Sequence, residues 1–158
     1  PKGAHLPALD PLQATLGVSN ASFVAQTADW VPAHLYATMQ AAYEHPGFSF
    51  VRILQRCPKF TADVFQKNVE NPDLTELLVH EKGVDVPSLK QLFKTTRVHD
   101  PLELDDARAL AARTDKLRLG VFFRDDNFPV YEEIRAVPKV SAEEKVARLH
   151  KEFERYAV

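Results

Sequence analysis

The sequence holds a single cysteine, Cys57, with Arg56 before it and Pro58 and Lys59 after it. Neighbouring cations favour the thiolate over the thiol, and a thiolate can attack an electrophile or ligate a metal. One cysteine cannot form an internal disulfide, nor build a metal site of several thiolates, from this chain alone. The competing reading is a small apolar residue of the core.

Six histidines, His5, His34, His45, His80, His99 and His150, are the next candidates. None pair as H-x-H, H-x-x-x-H or H-E-x-x-H, so their spacing supports no local zinc site. Each reads as a surface or capping residue, and His99-Asp100-Pro101 reads as a turn. Adjacent carboxylates recur at Asp105-Asp106, Asp125-Asp126, Glu132-Glu133 and Glu143-Glu144. On a helix such neighbours diverge by about 100° and form a solvated face, whereas glycosidase or acid-protease work needs carboxylates brought together across the fold. No G-x-S-x-G marks a serine hydrolase. The five glycines are scattered, which excludes a dinucleotide fingerprint and a P-loop within this chain.

The elements that must position these residues follow from periodicity. Asp10-Pro11 opens a short helix that Gly17 closes. Ser22 to Ala25 reads as a strand. Val31, Leu35, Met39 and Ala42 recur at helical spacing after Asp29-Trp30, and Pro46-Gly47 stops that helix. Phe48 to Leu54 is short, aromatic and β-branched with little alternation, which predicts a strand covered on both faces of a parallel sheet. Strand, helix and strand within about 33 residues fit a right-handed βαβ unit. The fold class is therefore α/β. Cys57 lies just past the end of the second strand, and open α/β sheets collect ligands at strand carboxyl ends.

Beyond Phe60 the pattern predicts helices over 61–67 and 71–82, a small amphipathic helix around Leu89, Leu92 and Phe93, and an alanine-rich helix from Asp105 to Arg113. Leu117 to Phe123 is a third strand. Ser141-x-x-Glu144 is a capping box opening a charged helix through about Tyr156. Val146, Leu149 and Phe153 give that helix a thin apolar stripe, so it is expected to lie against a partner or the surface.

At 158 residues the chain can bury roughly two-thirds of its unfolded surface without staples. A composition of 45% apolar and 27% charged residues is that of a globular protein, neither disordered nor membrane-spanning. A net charge of -2 gives no electrostatic case for nucleic acid or an anionic membrane. The start Pro1-Lys2-Gly3, with no methionine and no apolar leader, suggests a fragment of a larger protein, and the scarcity of cysteine fits the cytoplasm.

Two segments carry a family resemblance. Gly17-Val18-Ser19-Asn20-Ala21-Ser22-Phe23-Val24-Ala25-Gln26 is followed by a helix and by His45-Pro46-Gly47-Phe48-Ser49-Phe50-Val51-Arg52-Ile53-Leu54-Gln55-Arg56-Cys57-Pro58. This order resembles the second half of the thiamine-diphosphate-binding β subunit of 2-oxoacid:ferredoxin oxidoreductases, the 2-oxoglutarate type above all. Leu119-Gly120-Val121-Phe122-Phe123 and Pro129-Val130-Tyr131-Glu132 resemble that family's closing segment. The likeness is strong over residues 1–60 and thinner over 61–158.

The resemblance implies the oxidative decarboxylation of a 2-oxo acid to an acyl-coenzyme A and CO2, with ferredoxin reduced. Thiamine diphosphate with Mg²⁺ does the carbon chemistry, and a [4Fe–4S] cluster takes the electrons singly. It implies an α subunit as partner, no nucleic acid and no membrane. It assigns Cys57 as the fourth thiolate of the cluster. Residues 1–60 would end a doubly wound thiamine-diphosphate-binding domain, and 61–158 would be a mostly helical extension packed on the partner subunit. Family members often read Gln-Pro-Cys or Ser-Pro-Cys followed by threonine, where this chain has Arg56 and Pro58-Lys59. The family's Gly-Asp-Gly and Cys-x-x-Cys motifs are absent from the chain, so the fragment alone is expected to be inactive. Two rivals stand beside this reading: a non-enzymatic α/β interaction module with Cys57 in its core, and another thiamine-dependent decarboxylase without a cluster.

Overall fold

The computed structural model describes residues 8–60, 63–135 and 140–156. Its chain divides into two compact units, one ending at Phe128 and one beginning at Pro129. In the first unit Asp10 caps α1 (Pro11–Leu16) by accepting the Gln13 N–H at 3.0 Å, with Pro11 at the first helical position. Then come β1 (Phe23–Ala28), α2 (Pro32–Glu44), β2 (Ser49–Leu54), α3 (Gln66–Glu70), β3 (Thr75–Val79), α4 (Leu89–Leu92), β4 (Thr96–Val98), α5 (Leu104–Ala111) and β5 (Leu117–Arg124). The second unit contains α6 (Tyr131–Ile134) and α7 (Ala142–Tyr156).

The five strands form one sheet in the order β2-β1-β5-β3-β4. Strand β1 is parallel to β2, as the βαβ reading requires, but antiparallel to β5. The long β5 is shared: Leu117 to Leu119 pair with β3, and Gly120 to Arg124 pair with β1. Gly120 sits where the pairing changes partner, at φ 141°, and a Cβ there would fall 2.6 Å from Leu78 Cβ. Only glycine satisfies both the backbone angle and the close approach.

Alternation along β1 splits the core between two faces. Val24 packs with Leu12 and Leu16 of α1, Leu110 of α5 and Phe122. Phe23 and Ala25 pack with Val121, Val51 and the alanines of α2. Helices on both faces of a mixed sheet make the fold α/β. The strand buried along its whole length is β1, not β2. Among the described residues β2 lies at the sheet edge and is mostly half-buried, because only β1 pairs with it. Its apolar run therefore does not mean cover on both faces.

Beyond residue 60 the structure departs from the expected run of helices. Where periodicity predicts a helix over 71–82, the chain makes one 3-10 turn at Pro72–Leu74 and then β3, which β4 and β5 flank. Pairing on both edges outweighs the local Asn71-Pro72-Asp73 start signal. Strand β4 carries no apolar alternation and escapes prediction. The expected helix over 61–67 begins later, at Gln66; Thr61 and Ala62 lie outside the described residues. Three of the five strands thus come from the stretch expected to be mostly helical, and the sheet crosses the boundary expected at residue 60.

Candidate functional site

Cys57 is half-buried and lies three residues past the carboxyl end of β2. The carboxyl end of β1 is its neighbour, and Asp29 follows it directly. The Asp29 N–H donates to Leu54 O at 2.9 Å, tying the two strand ends together. Asp29 Oδ2 in turn accepts the Arg56 N–H at 3.1 Å, and Oδ1 lies 3.6 Å from the Arg56 guanidinium. That guanidinium stacks over the Trp30 ring at 5.6 Å, and Trp30 meets Phe65 at 5.3 Å. One carboxylate and one indole therefore hold the backbone that leads into Cys57. Arg56, expected to act on the thiol as a bare cation, is engaged by Asp29 and Trp30; Lys59 sits over Phe60 at 5.6 Å. Asp29 Oδ1 and Trp30 Nε1 are buried with no hydrogen-bond partner among the described residues.

The histidines are less exposed than their spacing suggests. His34, His45 and His99 are all buried. His34 Nδ1 sits 2.9 Å from Thr27 Oγ1 and 3.3 Å from Thr38 Oγ1, and burial lowers its pKa to about 4. His99 Nε2 donates to Phe122 O at 2.7 Å. The His99 contact is made across the fold, so sequence spacing carries no sign of it, whereas His34 meets Thr38 one turn along α2. His5 lies outside the described residues.

At the amino ends of β1 and β2 the fold assembles a serine, a histidine and an aspartate. His45 Nε2 is 2.9 Å from Ser22 Oγ, and His45 Nδ1 is 3.9 Å from Asp126 Oδ1. A hydrolytic triad needs the serine to give its proton to the histidine. Here Ser22 Oγ donates to Phe48 O at 3.2 Å, so the network has Nε2–H donating to Ser22. Nδ1 is then an acceptor facing a carboxylate beyond hydrogen-bond reach. Ser22 is 1% exposed, and a Cβ on Gly47 would fall 2.1 Å from its oxygen, leaving a substrate no room. Burial lowers the His45 pKa, and Arg124 adds to this against the opposing pull of Asp126 and Asp125. The cluster is a clamp that closes the turn before β2.

A third polar group crosses the sheet. Glu76 Oε2 accepts from Arg118 Nε and Arg97 Nε, each at 2.9 Å, and Arg118 also donates to Asp115, Arg113 O and Lys116 O. The bond from Arg118 lowers the Asp115 pKa. Gln26 Nε2 joins the row by donating to Arg118 O at 2.7 Å. Glu76 on β3 and Arg118 on β5 face each other only because the strands pair in register. A charged residue in each of two apolar runs, TELLV and LRLGVFF, was the available signal. Beside this row lies a cleft of about 400 Å³ lined in part by Gln26, Arg52, Phe65, Lys67 and Arg113. Arg52 is held by Asp10 at 3.3 Å, and Lys67 and Arg113 are exposed surface cations. The cleft has no built anion site.

Among the described residues, no three His, Cys, Asp or Glu side chains come together to hold a metal ion. Cys57 can supply one thiolate to a cluster and cannot cradle one. Among the same residues, no helix is long and apolar enough to cross a membrane.

No protein-family model matches the sequence, and no curated protein matches it. Among solved structures the chain is similar to the 2-oxoglutarate:ferredoxin oxidoreductase from Magnetococcus marinus, determined with 2-oxoglutarate, coenzyme A and succinyl-CoA bound. The two share 23% identity and superpose with a TM-score of 0.61 over 94% of this chain and 47% of the other. This chain thus has the α/β fold of a 2-oxoglutarate:ferredoxin oxidoreductase chain and spans about half its length.

Proposed function

We propose that the chain is part of the thiamine-diphosphate-binding β subunit of a 2-oxoacid:ferredoxin oxidoreductase, acting on 2-oxoglutarate in the cytoplasm. The observation that carries this reading is the shared fold over 94% of the chain. The family-like order of segments from Gly17 to Pro58 supports it independently. The whole enzyme would convert the 2-oxo acid and coenzyme A to an acyl-coenzyme A and CO2 and reduce ferredoxin. An α subunit would be its partner.

Within that enzyme Cys57 would ligate one iron of a [4Fe–4S] cluster, the other thiolates coming from outside this chain. Such a cluster, when bound, accepts and passes single electrons. Asp29 fixes the Arg56 backbone and side chain, so the thiolate is delivered from a braced strand end rather than a loose loop. Trp30 stacks under the Arg56 guanidinium and packs on Phe65, which orients a pair that stays half-exposed. Thiamine diphosphate and Mg²⁺ would be held by residues outside this chain, since the family's Gly-Asp-Gly motif is absent from it.

The test is reduction of a viologen dye by the intact protein with its partner subunit, supplied with a 2-oxo acid and coenzyme A. Reduction that requires both substrates, fastest with 2-oxoglutarate, supports the reading. Absence of reduction with every 2-oxo acid tried overturns it and leaves the non-enzymatic module.

A further inference from the structure

The second unit ends its described part in a 15-residue helix, α7, with no buried residue. Val146, Leu149, Phe153 and Tyr156 lie on it at 52%, 56%, 66% and 73% exposure. With Ala142 they follow spacings of four, three, four and three residues. That is a heptad seam, the pattern by which one helix packs along another. The positions flanking the seam are Glu143 and His150 on one side and Lys145 and Glu152 on the other.

We propose that α7 pairs with α7 of a second copy of this chain, antiparallel, with Val146 opposite Leu149 of the other copy. In that register Ala142 faces Phe153 and Val146 faces Leu149, each twice by symmetry, so in these four layers the larger side chain meets the smaller one, while Tyr156 lies past the end of the overlap. Flanking positions meet their own kind across an antiparallel seam: Lys145 faces Glu152, and Glu143 faces His150, again twice each. Sliding one helix by a heptad places Glu152 against Glu152. A parallel pair places Phe153 on Phe153, leaves Ala142 on Ala142, and sets Lys145 against His150. Charge and side-chain size therefore select the same arrangement. In the isolated helix Glu152 meets Arg155 at only 3.8 Å on an exposed surface, too weak a tie to compete. This pairing does not depend on the reaction proposed above.

A helix of this length is about 22 Å long, and an isolated pair is marginal, so the expected dimer is weak and concentration-dependent. Sedimentation equilibrium of the whole chain tests it, with circular dichroism as a check that each variant folds. Lys145→Glu and Glu152→Lys, both on exposed positions, should each weaken association about tenfold by setting like charges face to face. The double variant Lys145→Glu/Glu152→Lys restores the opposite charges only in this register, and should recover association to within about threefold. Three results would overturn the proposal. These are a chain monomeric up to about 1 mM, a dimer indifferent to the single changes, or a double variant no better than the singles. The first would point to a different protein as the cover of α7.

Discussion

Strands β1 and β2 carry a polar cluster at each end, and the two clusters differ in what they leave open. At the amino ends, Ser22, His45 and Phe48 O bind one another around Gly47, whose missing side chain lets the turn close. At the carboxyl ends, Asp29 binds Arg56 and Leu54 O, but one of its buried oxygens and the Trp30 indole N–H have no hydrogen bond among the described residues. Half-buried Cys57 stands beside them in sequence. The first cluster has the residue types of a catalytic triad and the geometry of a clamp. The second has no familiar motif, yet it carries spare polar capacity where α/β sheets place their ligands. Residue types alone point to the first cluster, and open polar capacity points to the second.

This contrast makes graded predictions. The largest effect belongs to Gly47→Ala. Its Cβ would sit 2.1 Å from Ser22 Oγ and 3.0 Å from Phe128 Cβ, so overpacking should cost about 3 kcal/mol in urea unfolding. A cost under about 0.5 kcal/mol would mean that the amino end is not closed.

Next comes acid. A buried histidine with its folded pKa lowered resists protonation while the unfolded chain takes the proton, so stability falls as pH drops. For His34 the loss begins near the ordinary value of 6.5 and is complete by about pH 4. It amounts to about 3 kcal/mol. His45, lowered mainly by burial, adds loss in the same direction below 6.5. Unfolding curves between pH 7 and 4 should show this slope, and it should flatten in His34→Gln. An equal slope in that variant would place the acid sensitivity elsewhere.

The carboxyl end should be nearly silent in stability. Arg56→Ala removes a half-exposed ion pair and should cost under about 1 kcal/mol. Trp30→Phe keeps an aromatic ring on Phe65 but removes the indole N–H and part of the bicycle from a half-buried site, so it should cost about 1 kcal/mol. Large losses in both would make this end a second clamp.

The legible part of the fold was local. Asp10-Pro11, the α2 periodicity, the first two strands, β5 and the Ser141 capping box all announce themselves within a few residues. Strands β3 and β4 do not, because their stability comes from pairing with strands far away in sequence, and Asn71-Pro72-Asp73 imitates a helix start. Cys57 could be singled out because it is unique and follows a strand. Asp29, Trp30 and Glu76 could not, because nothing in their own neighbourhoods shows what they face. The buried histidines were misjudged for the same reason.

The most direct test concerns Cys57 itself. Iron content and visible absorbance should be compared between the intact protein and its Cys57→Ser variant, with urea midpoints recorded for both. If the thiolate serves a cluster and not the core, the variant loses iron and visible absorbance while the midpoint moves little. Unchanged iron and absorbance, with a lowered midpoint, would contradict this reading and make Cys57 a core residue.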